Sequence, residues 1–578
     1  MQNTDEKKLQ IAKLIAPEGI GTEELASYIV LPPDNAMGDY ALPCFKLAKI
    51  YRKSPQAIAE EFKSKILSAP NPFSAVEAVN GYLNFKFDRT ETAGKLLSEV
   101  LAKGAEYGSG TEGSGKTVCI DYSSINIAKP FHIGHLSSTV IGAALYRMYQ
   151  KRGYRPVGIN HLGDWGTQFG KLIVAYKKWG DDEEIERDGV LALTRIYVKF
   201  HEEAETHPEL ESEARAWFKR IEDGDPEAMR LYKLFKEKTL TEVGKVYSRL
   251  GIKFDSYNGE AFYNDKMAPI LERLEAQNLI TVSDGAKIVD LKEWGMSPCL
   301  LVKADGATLY ATRDLAAAFY RKKTYDFYKS LYVVAYQQNL HFKQLFKVIE
   351  LMGESWYKDL VHVPFGMVSL EDGTMSTRKG KVVWLKDVLD RAVEKAGEII
   401  REKNERLPDA AEVAEQVGVG SVVFFALSNN RIKDIVFSYD KVLNFDGETA
   451  PYVQYTNARA QSLLKKAGGA EKLTAELKDA PLSAEELKAL EGKEGEELVA
   501  LISRFGETVT DALEKYEPSV VTRYIIDVAR SFNRFYLAYR ILNAPENERR
   551  ARIALTYAAH IVLQEGLRLI GVRAPEEM

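Results

Sequence analysis

The stretch TVCIDYSSINIAKPFHIGHLSSTVIGAALYRMYQKRGYRPVGI, residues 117–159, contains the pattern that decides the fold. It opens with an apolar run typical of a buried strand and passes through KPFHIGHL (129–136) into an apolar, helix-like run. A second strand-like run closes it. Strand, helix and strand in this order predict a βαβ unit and therefore a parallel sheet.

Two of the chain's 8 histidines, His132 and His135, lie within KPFHIGHL. On the first turn of a helix, residues three apart share a face, and the free amides there favour anions. Gly134 between them lets a flat base approach the backbone. This arrangement suits stabilisation of the charge that develops on a phosphate. Two other interpretations are open: helix capping, or a zinc pair that would need a third ligand from elsewhere in the chain.

Length and composition restrict the class of protein. A chain of 578 residues predicts several domains. The net charge of −5 means that a nucleic acid would have to bind a local basic face. Three cysteines, far apart in sequence, favour a reducing compartment. Since no signal peptide and no apolar run of about 20 residues is evident, we expect a cytoplasmic protein without membrane association.

The order of sequence patterns predicts a multidomain chain. We expect a small α+β domain at 1–107, a Gly/Ser-rich linker at 108–116 and an α/β parallel-sheet domain at 117–390. A charged helical insertion is expected at about 175–260 within that α/β domain. Helical patterns then predict a connecting region at 391–440 and an all-α domain at 441–578. The run TLYATRDL (308–315) is interpreted as strand-like.

GTEGSGKT, residues 110–117, matches the phosphate-loop pattern of P-loop NTPases. A phosphate loop must follow a strand and open a helix, so that the helix N-terminus faces the phosphates. Here a helical pattern precedes the stretch and a strand pattern follows it. We therefore interpret the match as accidental and the stretch as part of the linker.

Several motifs together resemble one enzyme family. HIGH at 132–135 is the signature of class I aminoacyl-tRNA synthetases, and DYSSINIAKPFHIGHLSS (121–138) resembles its arginyl-tRNA synthetase version. Further stretches similar to that family, in the same order along the chain, are NHLGDWGTQFG (160–170), TLYATRDLA (308–316), QNLHF (338–342), MSTRKG (375–380) and FDGETAPYVQYTNARA (445–460). Two residues depart from the family pattern: Ile125 replaces a usual proline, and Ser137 replaces a common arginine.

The resemblance implies both an architecture and an activity. It implies a Rossmann-like catalytic domain, an N-terminal domain that contacts tRNA and a helical anticodon-binding domain. The implied activity is ATP-dependent activation of arginine to arginyl-adenylate and transfer to tRNA(Arg), with tRNA needed for activation. ATP with Mg²⁺ would be a substrate, with no tightly bound cofactor, no protein metal site and a monomeric chain. The alternatives are a class I synthetase of another amino-acid specificity and a catalytically inactive RNA-binding homologue.

The resemblance also assigns site residues. Catalysis is assigned to His132, His135 and Lys379, and ATP binding to these and Lys129, Gly134, Met375, Ser376 and Arg378. Arginine binding is assigned to Asp121, Ser123, Asn126, Tyr310, Asp314 and Gln338. Because a guanidinium pairs best with carboxylates, Asp314 is its expected partner. Without the other motifs, the sequence favours a helix N-cap or an ion pair with Arg313 or Arg321 for Asp314 over a pocket.

Tyr452, Tyr455 and Arg459 are the residues assigned to tRNA binding. They lie at helical spacing, and aromatic and arginine side chains suit stacking on unpaired RNA bases. The alternative for the two tyrosines is an ordinary place in a helical core.

Overall fold

The computed structural model describes residues 2–32, 37–370 and 383–578. The motif MSTRKG, with the predicted site residues Met375, Ser376, Arg378 and Lys379, lies outside these ranges.

The N-terminal part is a small α+β unit with its own apolar core. Its strands form an antiparallel sheet in the order β1-β3-β2. The helix Pro55–Leu67 packs beside this sheet. It begins after Ser54, whose hydroxyl accepts a hydrogen bond from the Ala57 amide at 3.2 Å. The elements are α1 (Gln2–Ile15), α2 (Thr22–Tyr28), β1 (Tyr40–Pro43), α3 (Ala48–Tyr51), α4 (Pro55–Leu67), β2 (Phe73–Val79) and β3 (Tyr82–Phe87).

A parallel four-stranded sheet forms the centre of the molecule. After α5 (Arg89–Lys103) come β4 (Thr117–Asp121), α6 (Leu136–Lys151) and β5 (Arg155–Ile159), and β4 pairs with β5 in parallel. The predicted βαβ unit is thus confirmed. Two later strands complete the sheet: Lys329–Tyr332 pairs with the other edge of β4, and Leu360–His362 pairs with Lys329–Tyr332. Charged helices follow β5: α7 (Thr167–Trp179), α8 (Asp182–Asp188), α9 (Val190–Ala204), α10 (Glu209–Glu222) and α11 (Pro226–Arg249).

The second half of this α/β region carries a small antiparallel sheet before the parallel sheet is completed. Its elements are α12 (Met267–Ala276), β6 (Thr281–Ser283), β7 (Ala286–Val289), β8 (Cys299–Val302), α13 (Tyr310–Tyr325), β9 (Lys329–Tyr332), α14 (Asn339–Leu351), β10 (Leu360–His362) and β11 (Val368–Leu370). The strand-like interpretation of TLYATRDL is wrong, because α13 begins at Tyr310. Only Thr308 bridges to a strand residue, Val302, and Leu309 then precedes the helix in extended conformation.

Residues 383–578 contain helices and one short strand. These elements are α15 (Leu385–Lys403), α16 (Ala410–Ser428), β12 (Ile435–Phe437), α17 (Tyr439–Val442), α18 (Ala450–Lys466), α19 (Ala470–Asp479), α20 (Ala484–Leu487), α21 (Lys493–Ser503), α22 (Phe505–Glu514), α23 (Ser519–Ala538) and α24 (Glu546–Leu569). Strand β12 pairs in parallel with β11. Of the helices in the described ranges, α16 alone is long and apolar enough to cross a membrane, and 67% of its apolar window is buried inside the protein.

The stretch that resembles a phosphate loop packs against the end of α6. Helix α5 and a short 3-10 turn precede it and β4 follows it, so it does not open a helix. The Gly110 and Gly113 amides donate to the Lys151 and Arg152 carbonyls at the end of α6. The Lys116 ammonium donates to the Glu112 carbonyl at 2.8 Å and lies 5.0 Å from the centre of the Tyr328 ring. The Lys116 ammonium therefore makes contacts within the protein itself.

Candidate active site

His132 is the extended residue that caps a 3-10 turn, Ile133–His135, and His135 ends this turn where it leads directly into α6. We expected them on the first turn of an α-helix, so the local geometry is tighter than predicted. The start of α15 holds this turn: the Ile133 amide donates to the Val383 carbonyl at 3.1 Å, and the Leu385 amide donates to the Phe131 carbonyl at 2.9 Å. The turn is therefore tied to the residues that follow the MSTRKG segment in sequence.

Hydrogen bonds within the turn determine which nitrogen of each imidazole carries the proton. Nδ1 of His132 accepts the Gly134 amide at 3.1 Å, and Nδ1 of His135 accepts the His132 amide at 3.2 Å. Burial lowers the pKa of His132, and burial with the neighbouring His132 lowers the pKa of His135 to about 3. Both rings are therefore neutral near pH 7 and carry their proton on Nε2. The pair offers two neutral N–H donors with centroids 4.0 Å apart.

The capping and zinc interpretations can now be compared with this geometry. Both rings do cap the turn through Nδ1, so capping is real. It uses only one nitrogen of each ring and leaves each Nε2–H for another acceptor. Across the described residues, no group of three His, Cys, Asp or Glu side chains could hold a metal ion.

The loop between β4 and the histidine turn is unusual in its backbone. Ser123, Ser124 and Ala128 all have positive φ angles, of 69°, 44° and 58°. The loop is fastened to the next one, because the Ile127 amide donates to the Gly163 carbonyl at 3.1 Å. Such strained conformations concentrate at functional sites. The loop leaves two predicted site residues, Asn126 and Lys129, exposed to solvent.

Two other predicted site residues of this loop make internal contacts. Asp121 ends β4 and accepts hydrogen bonds from the Arg321 guanidinium and the Ser124 hydroxyl, both at 2.7 Å. The buried Ser123 hydroxyl lies 2.7 Å from the Tyr247 hydroxyl and accepts from Thr139 at 2.9 Å. Ser137, one of the two departures from the family pattern, is buried at the start of α6.

Asp314 lies at the carboxyl-terminal edge of the parallel sheet, on α13. Its carboxylate accepts from Nε2 of His341 at 2.7 Å and lies 4.0 Å from Nε2 of His161. Burial opposes its charge, but the His341 hydrogen bond holds the pKa of Asp314 below its usual value. Asp314 lies inside the helix and is not a helix cap, and its contacts are with histidines rather than with Arg313 or Arg321. Tyr310, one turn earlier, is 68% exposed.

Gln338 lies at the same edge of the sheet. It ends a 3-10 turn, Tyr336–Gln338, that follows β9, and it is exposed. The Tyr336 amide fixes this turn by donating to the Phe365 carbonyl at 3.0 Å.

Sequence reasoning did not identify Glu260, a second acidic residue whose pKa is influenced by Asp314. Its amide donates to the Leu162 carbonyl, and the next amide, of Ala261, donates to the buried Asp164 carboxylate at 2.9 Å. Burial raises the pKa of Glu260 to about 7, with Arg313 opposing and Asp314 adding to the rise. The Arg313 guanidinium lies 3.9 Å away. No sequence motif marks this glutamate, but its raised pKa and the influence of the Asp314 charge on it do.

The residues assigned to tRNA binding lie on α18. The Tyr452 hydroxyl accepts from Asn533 at 3.1 Å, and the Arg459 guanidinium donates to the Asn533 side-chain oxygen at 2.6 Å. Tyr455 is 43% exposed, and Arg459 lies 5.0 Å from its ring centre. Tyr455 also lines a cavity of about 370 Å³ with Ile400, Lys403, Asn404, Phe445, Asp446 and Met578. An exposed ring beside a cation suits base stacking, and Tyr452 is the more internal of the two tyrosines.

Comparison with protein families gives three matches along the chain. Residues 96–439 match the family described as tRNA synthetases class I (R), catalytic domain. Residues 6–87 match the arginyl tRNA synthetase N terminal domain, and residues 453–578 match the DALR anticodon binding domain. The catalytic match alone covers more than half of the chain.

The chain belongs to the arginyl-tRNA synthetase family.

Curated relatives and solved structures agree over the full length. The arginine–tRNA ligase of Alkaliphilus metalliredigens is 52% identical over 99% of both chains, and that of Halothermothrix orenii is 51% identical over 99% of both. The Thermus thermophilus arginyl-tRNA synthetase structure superposes with a TM-score of 0.78 at 25% identity and covers 100% of both chains. The predicted multidomain, parallel-sheet architecture of this family is thus confirmed.

Proposed function

We propose that the protein is an arginine–tRNA ligase, which activates arginine with ATP and transfers it to tRNA(Arg). The observation that carries this proposal is the set of side chains at one edge of the parallel sheet. There a neutral histidine pair follows β4, while Asp314 and Glu260 present carboxylates beside the next loops. We infer that these donors for a phosphate and acceptors for a cationic side chain belong to a single site.

Asp314 and Glu260 are the proposed partners of the substrate guanidinium. A guanidinium carries five donors in a planar fork, whereas the lysine ammonium is a compact point charge. Asp314 is held ionised by His341, and a bound guanidinium would favour the ionised form of Glu260 as well. Tyr310, exposed one turn before Asp314, is proposed to cover the side chain of the substrate.

The other end of arginine is assigned to the loop after β4 and the turn after β9. Asn126 and Gln338 are exposed there, and their amides are proposed to contact the amino and carboxylate groups. Asp121 and Ser123 are proposed to shape this end, because their side chains make the internal contacts described above.

In the activation step, a carboxylate oxygen of arginine attacks the α-phosphorus of ATP, and the bond to pyrophosphate breaks. We assign the Nε2–H groups of His132 and His135 to the phosphate oxygens on which charge develops. Lys129 and Gly134 are proposed to contact ATP beside them. For Met375, Ser376, Arg378 and Lys379, the proposal of a pyrophosphate-binding loop rests on the sequence motif alone.

Transfer requires tRNA(Arg), for which we propose Tyr452, Tyr455 and Arg459 as contacts in the anticodon-binding region. In support, Tyr455 is exposed and Arg459 lies beside its ring. We further propose a division of the chain into five parts. These are a tRNA-contacting domain at 1–107, a linker at 108–116, the catalytic domain at 117–390, a helical connecting region at 391–440 and an anticodon-binding domain at 441–578. Magnesium accompanying ATP, a monomeric state and a cytoplasmic location complete the proposal. Chelation, light scattering and cell fractionation test these three points in turn.

ATP–pyrophosphate exchange with arginine in the presence of tRNA(Arg) tests the activity itself. An active ligase exchanges label, whereas a catalytically inactive RNA-binding homologue binds tRNA without exchange. A synthetase of another specificity would exchange with a different amino acid.

A further inference from the structure

A buried arginine that has no assigned role lies behind the proposed arginine pocket. Arg321 is 1% exposed and lies on α13, seven residues after Asp314 and thus on the same face of the helix. One of its nitrogens, Nη2, donates to Asp121 at 2.7 Å and lies 3.4 Å from Nδ1 of His161. Within the part of the chain that the structure describes, its Nε and Nη1 have no hydrogen-bond partner.

The contact with Arg321 determines which ring nitrogen of His161 carries the proton. An arginine side chain has only donors, so Nδ1 of His161 must be the acceptor. The proton of the neutral ring is then on Nε2, which lies 4.0 Å from the Asp314 carboxylate. Stacking on Tyr263, with ring centres 5.5 Å apart, holds the plane of the imidazole.

The charges around His161 explain why a fixed cation matters here. The charged and titratable groups that face it are Asp121 on β4, Arg321 and Asp314 on α13, Asp164 in the loop after β5, and Tyr263. Burial lowers the pKa of His161, and Arg321 supports this effect against the three carboxylates. Without Arg321, three anions would favour a protonated His161, which would then compete with the substrate for Asp314.

We propose that Arg321 is a positioning residue of the arginine pocket: it holds Asp121 and the Nε2–H tautomer of His161. It thereby leaves the Asp314 oxygen that faces His161, which is not the one bonded to His341, available for the substrate guanidinium. This inference rests on the proposed function, because it assigns Asp314 to the substrate. It adds an internal guanidinium that touches no substrate and connects the strand end at Asp121 with the pocket at Asp314.

The test compares Arg321→Met with Arg321→Lys in aminoacylation at saturating tRNA(Arg), at pH 6, 7 and 8. Arg321→Met should raise the KM for arginine by about tenfold or more while the KM for ATP stays within about twofold. The arginine KM, relative to the parent at each pH, should rise further from pH 8 to pH 6 as His161 takes up a proton. Taking the ratio to the parent cancels the titration of Glu260, which both proteins share.

Two further variants separate positioning from folding. In Arg321→Met/His161→Asn, the pH dependence of the ratio should disappear. Lys151→Met removes another buried cation, 3.1 Å from Glu565 and distant from the pocket, and should leave the arginine KM unchanged. Should Arg321→Met fail to fold, Arg321→Lys keeps a charge beside Asp121 but cannot match the guanidinium fork. It should still raise the arginine KM.

An unchanged arginine KM in the folded variants, a KM ratio that does not change with pH, or full rescue by lysine would overturn the proposal. These outcomes are distinct from failure of the proposed function, in which the parent protein itself would not attach arginine to tRNA.

Discussion

At the scale of single residues, the proposed active site depends on the protonation states of its histidines and carboxylates. Burial keeps His132 and His135 neutral, and their Nδ1 atoms are used by backbone amides. The same desolvation raises the pKa of Glu260 to about 7. One physical effect thus gives the proposed phosphate site its neutral donors and gives the proposed amino-acid site a carboxylate that ionises near neutral pH.

The role of His135 can be separated from its capping of the turn. In His135→Asn, the side-chain oxygen can still accept the His132 amide, but the Nε2–H donor is gone. We expect kcat to fall by about 10²–10³-fold with little change in KM for ATP or arginine, as for loss of one oxyanion-type donor. His135→Gln, which can reach further with an N–H, should recover part of this loss. Loss of thermal stability with unchanged turnover per folded molecule would favour pure capping.

The raised pKa of Glu260 predicts how kcat/KM for arginine changes with pH. A pKa of about 7 in the free pocket means that the carboxyl is increasingly protonated below that pH and cannot pair with a guanidinium. We therefore expect kcat/KM for arginine to fall as pH drops from 8 to 6, by up to about tenfold per pH unit. Glu260→Gln should lower kcat/KM at pH 8 and remove this dependence. A parent profile that persists unchanged in Glu260→Gln would exclude this carboxyl as its origin.

At the scale of elements, strand–loop–helix order decides between two phosphate-binding motifs. KPFHIGHL follows β4 and leads into α6, whereas GTEGSGKT precedes β4. Lys116→Ala should therefore leave the KM for ATP within about twofold of the parent. Because its ammonium contacts the Glu112 carbonyl and the Tyr328 ring, a modest loss of stability of about 1 kcal/mol is expected. A large loss of ATP binding, measured by exchange kinetics, would contradict this assignment.

Elements with local signals were predictable from the sequence, and those set by distant contacts were not. The βαβ unit around residues 117–159 follows from apolar runs, and the structure confirms it. TLYATRDL resembles a strand because it opens with the β-prone Thr308 and Tyr310 around an apolar leucine. Pairing with β8 ends at the Leu309 amide, however, and the chain turns into α13. Glu260 has no motif of its own, since only the fold brings it near Asp314. Strand β12 exists because β11 provides a partner.

At the scale of the whole molecule, α15 joins the two regions that the proposed reaction must coordinate. Residues at its start bond to the histidine turn, and Ile400 and Lys403 near its end line the cavity beside Tyr455. A helix of 19 residues spans about 28 Å. It is a rigid element through which tRNA binding could favour an active arrangement of the catalytic turn, with a coupling of about 1–3 kcal/mol.

Substitution of Tyr455 tests this coupling. Tyr455→Ala should weaken tRNA(Arg) binding by about 1–3 kcal/mol, the value of one stacked base, and should lower tRNA-stimulated ATP–pyrophosphate exchange at subsaturating tRNA in parallel. Tyr455→Phe keeps the ring and should behave as the parent. Exchange at full rate without any tRNA would contradict the coupling and leave the ligase assignment intact.

The most direct test of the central claim is aminoacylation of tRNA(Arg) with each amino acid, in the parent and in Asp314→Asn. The account predicts that the parent attaches arginine and that kcat/KM for lysine is lower by about 10⁴ or more, since lysine cannot satisfy two carboxylates. Asp314→Asn should raise the KM for arginine sharply and narrow the difference between arginine and lysine, with the KM for ATP little changed. Attachment of a different amino acid by the parent, or parental arginine kinetics in Asp314→Asn, would contradict the account.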